Sequence, residues 1–118
     1  MAAAPRLICE SAALRDSGDG VRFDIEYGGE RAPAFAVRYE GRVYGYLNRC
    51  AHVAMELDWR AGQFFDLEGH DLICSTHGAV YAAASGHCLG GPCGGAPLVR
   101  LRVEERDGRI YYLGVDDG

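Results

Sequence analysis

Two short stretches carry the side chains best suited to metal chemistry: "NRCAHV" at residues 48–53 and "ICSTHG" at residues 73–78. Each sets a cysteine and a histidine close together at the end of an apolar, strand-like run, as Cys50-Ala51-His52 and Cys74-Ser75-Thr76-His77. Thiolate and imidazole are the soft and borderline donors that hold transition metals, so the two pairs offer four ligands. The pattern is C-x-H and then, after 21 intervening residues, C-x-x-H. One such residue alone reads as a buried thiol or a loop imidazole. Two closely spaced pairs point to a shared site.

Three metal groups use such donors. Zinc takes a tetrahedral set of two cysteines and two histidines, but the common finger pairs Cys with Cys and His with His along the chain. A c-type haem needs C-x-x-C-H, which the sequence lacks. A 2Fe–2S cluster with two thiolates on one iron and two imidazoles on the other draws one Cys and one His from each of two loops. The mixed order along the chain suits the cluster, with a structural or regulatory zinc module as the alternative.

The elements that must position these loops are strands. "VRFDIEY" (21–27) and "FAVRYE" (35–40) alternate apolar and polar residues, and Glu40-Gly41 turns the chain into "RVYGYLN" (42–48). Near the end, "LVRLRVEE" (98–105) meets "RIYYL" (109–113) through Arg106-Asp107-Gly108. Asp-Gly between alternating runs is a strong hairpin signal. "SAALRD" (11–16) is long enough for one helical turn. With 17 glycines in 118 residues, the expectation is an all-β chain, an antiparallel sandwich or small barrel.

Between the two sets of strands, residues 48–97 change character: short strand candidates ("QFFDL", "DLICS", "AVYAA") alternate with loops rich in Gly, His and Cys. We expect one domain, with a β base formed by 1–47 and 98–118 and a smaller cluster-binding insert at 48–97. No basic segment precedes an apolar stretch of about 7–15 residues at the start, and no run reaches the roughly 18 apolar residues of a membrane span. The expected compartment is the reducing cytosol, where cysteines ligate metal more often than they form staples. The net charge of −5 argues against nucleic acid or an anionic membrane as partner and allows steering toward a basic protein surface.

Beyond the four ligands, "VYGYLNRCAH", "LICSTHGAVY" and the Gly/Pro segment "GHCLGGPCGGAPL" (86–98) together resemble a Rieske-type ferredoxin of the kind that serves bacterial oxygenases. The resemblance implies an antiparallel β base with an inserted cluster-binding subdomain, and a Rieske 2Fe–2S cluster held by Cys50, His52, Cys74 and His77, with the histidines toward solvent. It implies a third loop, formed by the Gly/Pro segment, lying over the cluster. The spacer between the pairs is a few residues longer than usual, around "WRAGQFFDLEGHD" (59–71), and Ala51 and Ser75 stand where proline is common.

The resemblance also implies how the cluster is tuned. Respiratory-complex relatives join the two loops by a disulfide; Met55 and Thr76 stand at those positions here. Those relatives donate hydrogen bonds from a serine and a tyrosine near the second histidine. Here Gly78 follows that histidine, Ala79 takes the serine position and Tyr81 the tyrosine position. Donated hydrogen bonds stabilise the added electron, so the potential is expected toward the bottom of the roughly −150 to +300 mV Rieske span.

Cys88 and Cys93 would close a small disulfide if paired, but a reducing cytosol favours free thiols. Cys9 reads as a small core residue, and His70 and His87 as solvated. The glycines at 90–95 lack the G-x-G-x-x-G order of a nucleotide site. The function implied is a soluble, monomeric one-electron carrier, not an enzyme, between a flavin-containing reductase and a terminal oxygenase. The other reading is a small Rieske subunit of an oxygenase complex. The oxygenase chemistry would require a 2-His-1-carboxylate iron site on a further domain; with "GVDDG" after the last hairpin none is expected on this chain, so that reading needs a catalytic partner encoded separately.

Overall fold

The computed structural model describes residues 5–49, 56–58, 60–74, 78–91 and 96–116. Among the described residues nine strands run β1 (Arg6–Glu10), β2 (Val21–Tyr27), β3 (Glu30–Tyr39), β4 (Arg42–Leu47), β5 (Asp71–Ile73), β6 (Val80–Ala82), β7 (Cys88–Gly90), β8 (Arg100–Arg106) and β9 (Arg109–Val115). All the pairings between these strands are antiparallel. The expected helical turn is a short 3-10 segment, Ser11–Ala13. The fold is all-β.

Six strands form one sheet in the order β1-β9-β8-β4-β3-β2, and β5-β6-β7 form a second, smaller one. The large sheet curls until its two edge strands approach. Arg6 on β1 closes the gap: its guanidinium lies 5.9 Å from the Phe23 ring centre on β2 and 5.5 Å from that of Tyr112 on β9, and donates to the Asp24 carbonyl. A cation shared by two aromatic faces suits such a seam.

Three hairpins of the base turn on two residues with positive φ: Gly28-Gly29 at 62° and 83°, Glu40-Gly41 at 50° and 81°, and Asp107-Gly108 at 53° and 77°. Such turns match the right-handed twist of the strands they join. Glycine supplies the second position in each, at little steric cost.

β3 has an unusual pattern, because residues 34–37 are buried without alternation. Ala34 packs with Ile25, Ala32, Leu47 and Leu101, and Ala36 with Leu14 and Ile110. Phe35 and Val37, on the opposite face, pack with Tyr46, Leu57, Phe64 and Leu72. The strand is covered on both faces, by the base interior on one side and by the insert on the other, so period-2 polarity disappears. Phe35 and Phe64 stack across that boundary with ring centres 3.8 Å apart.

Two expected strand boundaries shift. "QFFDL" is not a strand; Phe65 makes a single bridge to Leu72. β3 begins at Glu30, five residues before the alternation becomes legible, because Pro33 and the alanines hide it.

Candidate metal centre

The second loop is built by a hairpin that closes on itself. β5 pairs with β6 through Asp71↔Ala82, Leu72↔Tyr81 and Ile73↔Val80. Beyond Ile73, the Cys74 amide donates to the Ala79 carbonyl at 2.9 Å and the Gly78 amide to the Cys74 carbonyl at 2.8 Å. Gly78 makes this closure with φ +75°, a region costly for a side chain. The loop therefore starts at a fully buried Cys74 and ends at an exposed Gly78.

Cys74 keeps a thiol, outside any disulfide, in the apolar cluster with Leu57, Phe64, Leu72, Ala79 and Tyr81. A thiolate in such surroundings is costly unless a metal supplies the countercharge. A buried soft donor fits a 2Fe–2S cluster. Cys50, His52 and His77, the other expected ligands, lie outside the described residues, as do Ala51, Met55, Ser75, Thr76 and Cys93. Among the described residues no three His, Cys, Asp or Glu side chains gather as a metal site.

The tuning positions are described. Ala79 and Tyr81 are both fully buried, and Tyr81 sits in register between Leu72 on β5 and Cys88 on β7. Just after β7, Gly91 lies against the closing end of the second loop. A Cβ at Gly91 would stand 2.7 Å from the Gly78 oxygen and 2.9 Å from the Ala79 Cα. Only glycine permits that approach.

One expectation is corrected. Cys88 is disulfide-bonded, not a free thiol, with a partner outside the described residues. Solvent redox poise is one term in pairing; how the fold holds the two sulfurs is the other. Cys9 is only half-buried on β1, against Leu14, Ala36 and Ile110, and burial pushes its thiol pKa up. His70 and His87 are exposed, as expected.

The first loop is closed by a different device, which the sequence did not single out. Asn48, at the end of β4, is buried; its Nδ2 donates to Asp58 Oδ1 at 2.9 Å, and its Oδ1 accepts from the Leu57 amide at 2.8 Å. Asp58 Oδ2 accepts from the Gly62 amide at 2.9 Å. Arg22 on β2 reaches Glu56 at 2.6 Å and Asp58 at 3.5 Å. Tyr46 joins base to insert: its hydroxyl donates to the Ala83 carbonyl at 2.6 Å, and burial pushes its phenol pKa well up. The one available signal was an Asn and an Asp flanking the C-x-H loop, ten residues apart.

A family model for the Rieske [2Fe-2S] domain matches residues 5–105. The chain belongs to that family. Its prosthetic group is accordingly a Rieske-type 2Fe–2S cluster. Among solved structures, the ferredoxin of carbazole 1,9a-dioxygenase from Nocardioides aromaticivorans IC177 is 20% identical, with a TM-score of 0.72 over 95% of this chain and 99% of that one. The Sphingomonas yanoikuyae B1 ferredoxin is 21% identical, with a TM-score of 0.71 over 93% and 98%. The terminal oxygenase of the same Nocardioides dioxygenase superposes with a TM-score of 0.74 at 16% identity, over 97% of this Rieske chain but 31% of its own. These likenesses show a shared Rieske fold. A comparison with curated proteins found no match. Among the described residues no helix is long and apolar enough to cross a membrane.

Proposed function

We propose that this Rieske protein is a one-electron carrier that takes electrons from a flavin-containing reductase and passes them to a terminal oxygenase. Cys50 and Cys74 would hold one iron and His52 and His77 the other, within a single domain whose insert at 48–97 is the cluster-binding part. When bound, the cluster supplies reversible one-electron storage. The observation that carries this reading is that Cys74 is fully buried while Gly78, four residues on, is exposed. A ligand set between two such ends would keep its thiolate dry and could present an imidazole to a docking partner.

The extent of the matches supports the carrier over the oxygenase subunit: the ferredoxin chains are covered almost whole. A structure of oxidised ferredoxin with reduced oxygenase in carbazole 1,9a-dioxygenase also aligns, with a TM-score of 0.70 over 92% of this chain. A transient encounter of that type suits a small interface and an acidic carrier.

The test is iron and zinc analysis of anaerobically purified protein, with absorption and low-temperature EPR spectra before and after dithionite. About two irons per chain and a mixed-ligand signal on reduction are expected. His52→Ala and His77→Ala should each abolish that signal, and a variant that keeps it whole would remove that histidine from the ligand set. A colourless protein holding zinc, and failing reconstitution with iron and sulfide, would make it a structural or regulatory module.

A further inference from the structure

The two loops are held by unlike means. The second closes through its own backbone hairpin, from Cys74 to Ala79. The first, which carries Cys50 and His52, leaves β4 at Asn48 and returns at Leu57 and Asp58, and among the described residues no strand pairing spans its mouth. Its two ends meet instead through the side chains of Asn48 and Asp58.

We propose that Asn48 and Asp58 are the positioning pair that fixes the first loop, and through it the pose of Cys50 and His52; this rests on the ligand assignment proposed above. The pair fits the task in three ways. Both residues are buried, Asn48 at 1% and Asp58 at 6% exposure, so their hydrogen bonds are not traded with water. All their described bonds run to the rim of the loop or to the base: Asn48 is fixed to β3 by its amide on the Pro33 carbonyl at 2.9 Å, and Asp58 to the returning chain by the Gly62 amide. Third, the amide uses both ends, accepting from Leu57 and donating to Asp58, so no single-function side chain replaces it. Gly62 is held in turn: its carbonyl accepts from the Gly20 amide at 2.8 Å.

The chemistry offers a reciprocal test. Asn48→Asp sets two carboxylates against each other across a 2.9 Å contact. Asp58→Asn alone turns an amide nitrogen or a weaker acceptor toward the Gly62 amide. Made together, the two changes exchange donor and acceptor: the carboxylate at 48 accepts from Leu57 and from the new amide, whose oxygen accepts from Gly62.

The experiment uses the full-length, cluster-loaded protein, with iron release to a ferrous chelator, potentiometry and reduced-state EPR, alongside thermal unfolding. Asn48→Asp is expected to release iron about tenfold faster, the low end of losses for groups behind metal ligands, with altered g-values and potential. The exchanged pair, Asn48→Asp with Asp58→Asn, should return iron release and g-values to the parent's, while the potential is read apart because the carboxylate moves away from Arg22. A single variant with parental release, potential and g-values would overturn the proposal, and so would an exchanged pair that folds and loads but keeps the defect. Should Asn48→Asp fail to fold, Asn48→Ser takes its place and the exchanged pair still decides. A parent that holds no two-iron cluster would instead sink the ligand assignment, a distinct outcome seen before any variant is made.

Discussion

Tyr46 and Tyr81 are both fully buried, one at the foot of the insert and one in its sheet. For Tyr46 the hydroxyl has a visible task, since it holds the Ala83 carbonyl. Tyr81 sits two residues after Ala79, at the position where relatives of the respiratory type donate to sulfur. Tyr81→Phe keeps the ring and its packing between Leu72 and Cys88 and removes only the hydroxyl. The expected result is a potential lower by about 40 mV, the equivalent of one hydrogen bond of about 1 kcal/mol. Voltammetry of both proteins checks it, and equal potentials would make Tyr81 a packing residue alone. At this scale the sequence was most informative where chemistry is tied to residue type: the spacing of Cys and His marked the loops. It was silent on Asn48 and Asp58, whose types are common and whose pairing depends on two chain ends meeting.

Among the elements, the third segment of the insert is the one most exposed to a simple perturbation. Gly91→Ala would drive a methyl into the backbone of Gly78 and Ala79 at a φ of +81°, and backbone atoms cannot step aside as a flexible side chain can. We expect the β base to melt as before while the segment lifts, so that air bleaches the reduced cluster several-fold faster; unchanged bleaching would show that the segment does not shield the site.

A second prediction belongs to the side-chain link from β3 across β4 to the far end of β8. Arg38 grips Glu105 with both nitrogens, at 2.9 and 2.6 Å, and also donates to the Leu14 carbonyl at 2.8 Å. The guanidinium holds the Glu105 carboxyl at about 2, below the ordinary 4.5. A depressed pKa stabilises the fold fully above 4.5 and loses its effect as pH falls toward 2. Glu105→Gln should flatten the acid limb of a stability–pH curve in that window, by a modest amount because Glu105 is 34% exposed. A limb of unchanged slope would remove the pair from the acid response.

The hairpins at Glu40-Gly41 and Asp107-Gly108 were legible because their turn residues and flanking alternation agree. β1 and β7 were not: one is a short edge strand with a bulge between Leu7 and Cys9, the other three residues inside a glycine-rich stretch. Their pairing comes from tertiary neighbours, which local pattern does not encode.

For the molecule as a whole, charge is unevenly spread. The insert has Arg49 and Arg60 against Glu56, Asp58, Asp66, Glu68 and Asp71, and Leu67 stands fully exposed between two of these acids. Electron exchange with a lysine-rich acceptor such as cytochrome c should therefore slow as salt rises, since the screening length falls from about 30 Å at 0.01 M to about 8 Å at 0.15 M. Stopped-flow rates across that range check it, and a flat profile would exclude steering.

The insert also leaves and rejoins the base at adjacent points, for the Leu47 amide donates to the Val99 carbonyl at 2.9 Å and Tyr46 faces Arg100 across β4 and β8. In connectivity the insert is a detachable module, since a tight turn would bridge the gap it left. In solvation it is not, because Phe35, Val37 and Tyr46 on the base are covered by Leu57, Phe64 and Leu72 of the insert. Any transplant onto this scaffold must therefore bring its own apolar lid for those three side chains, and a base trimmed to its bare strands would carry a sticky aromatic face into solution.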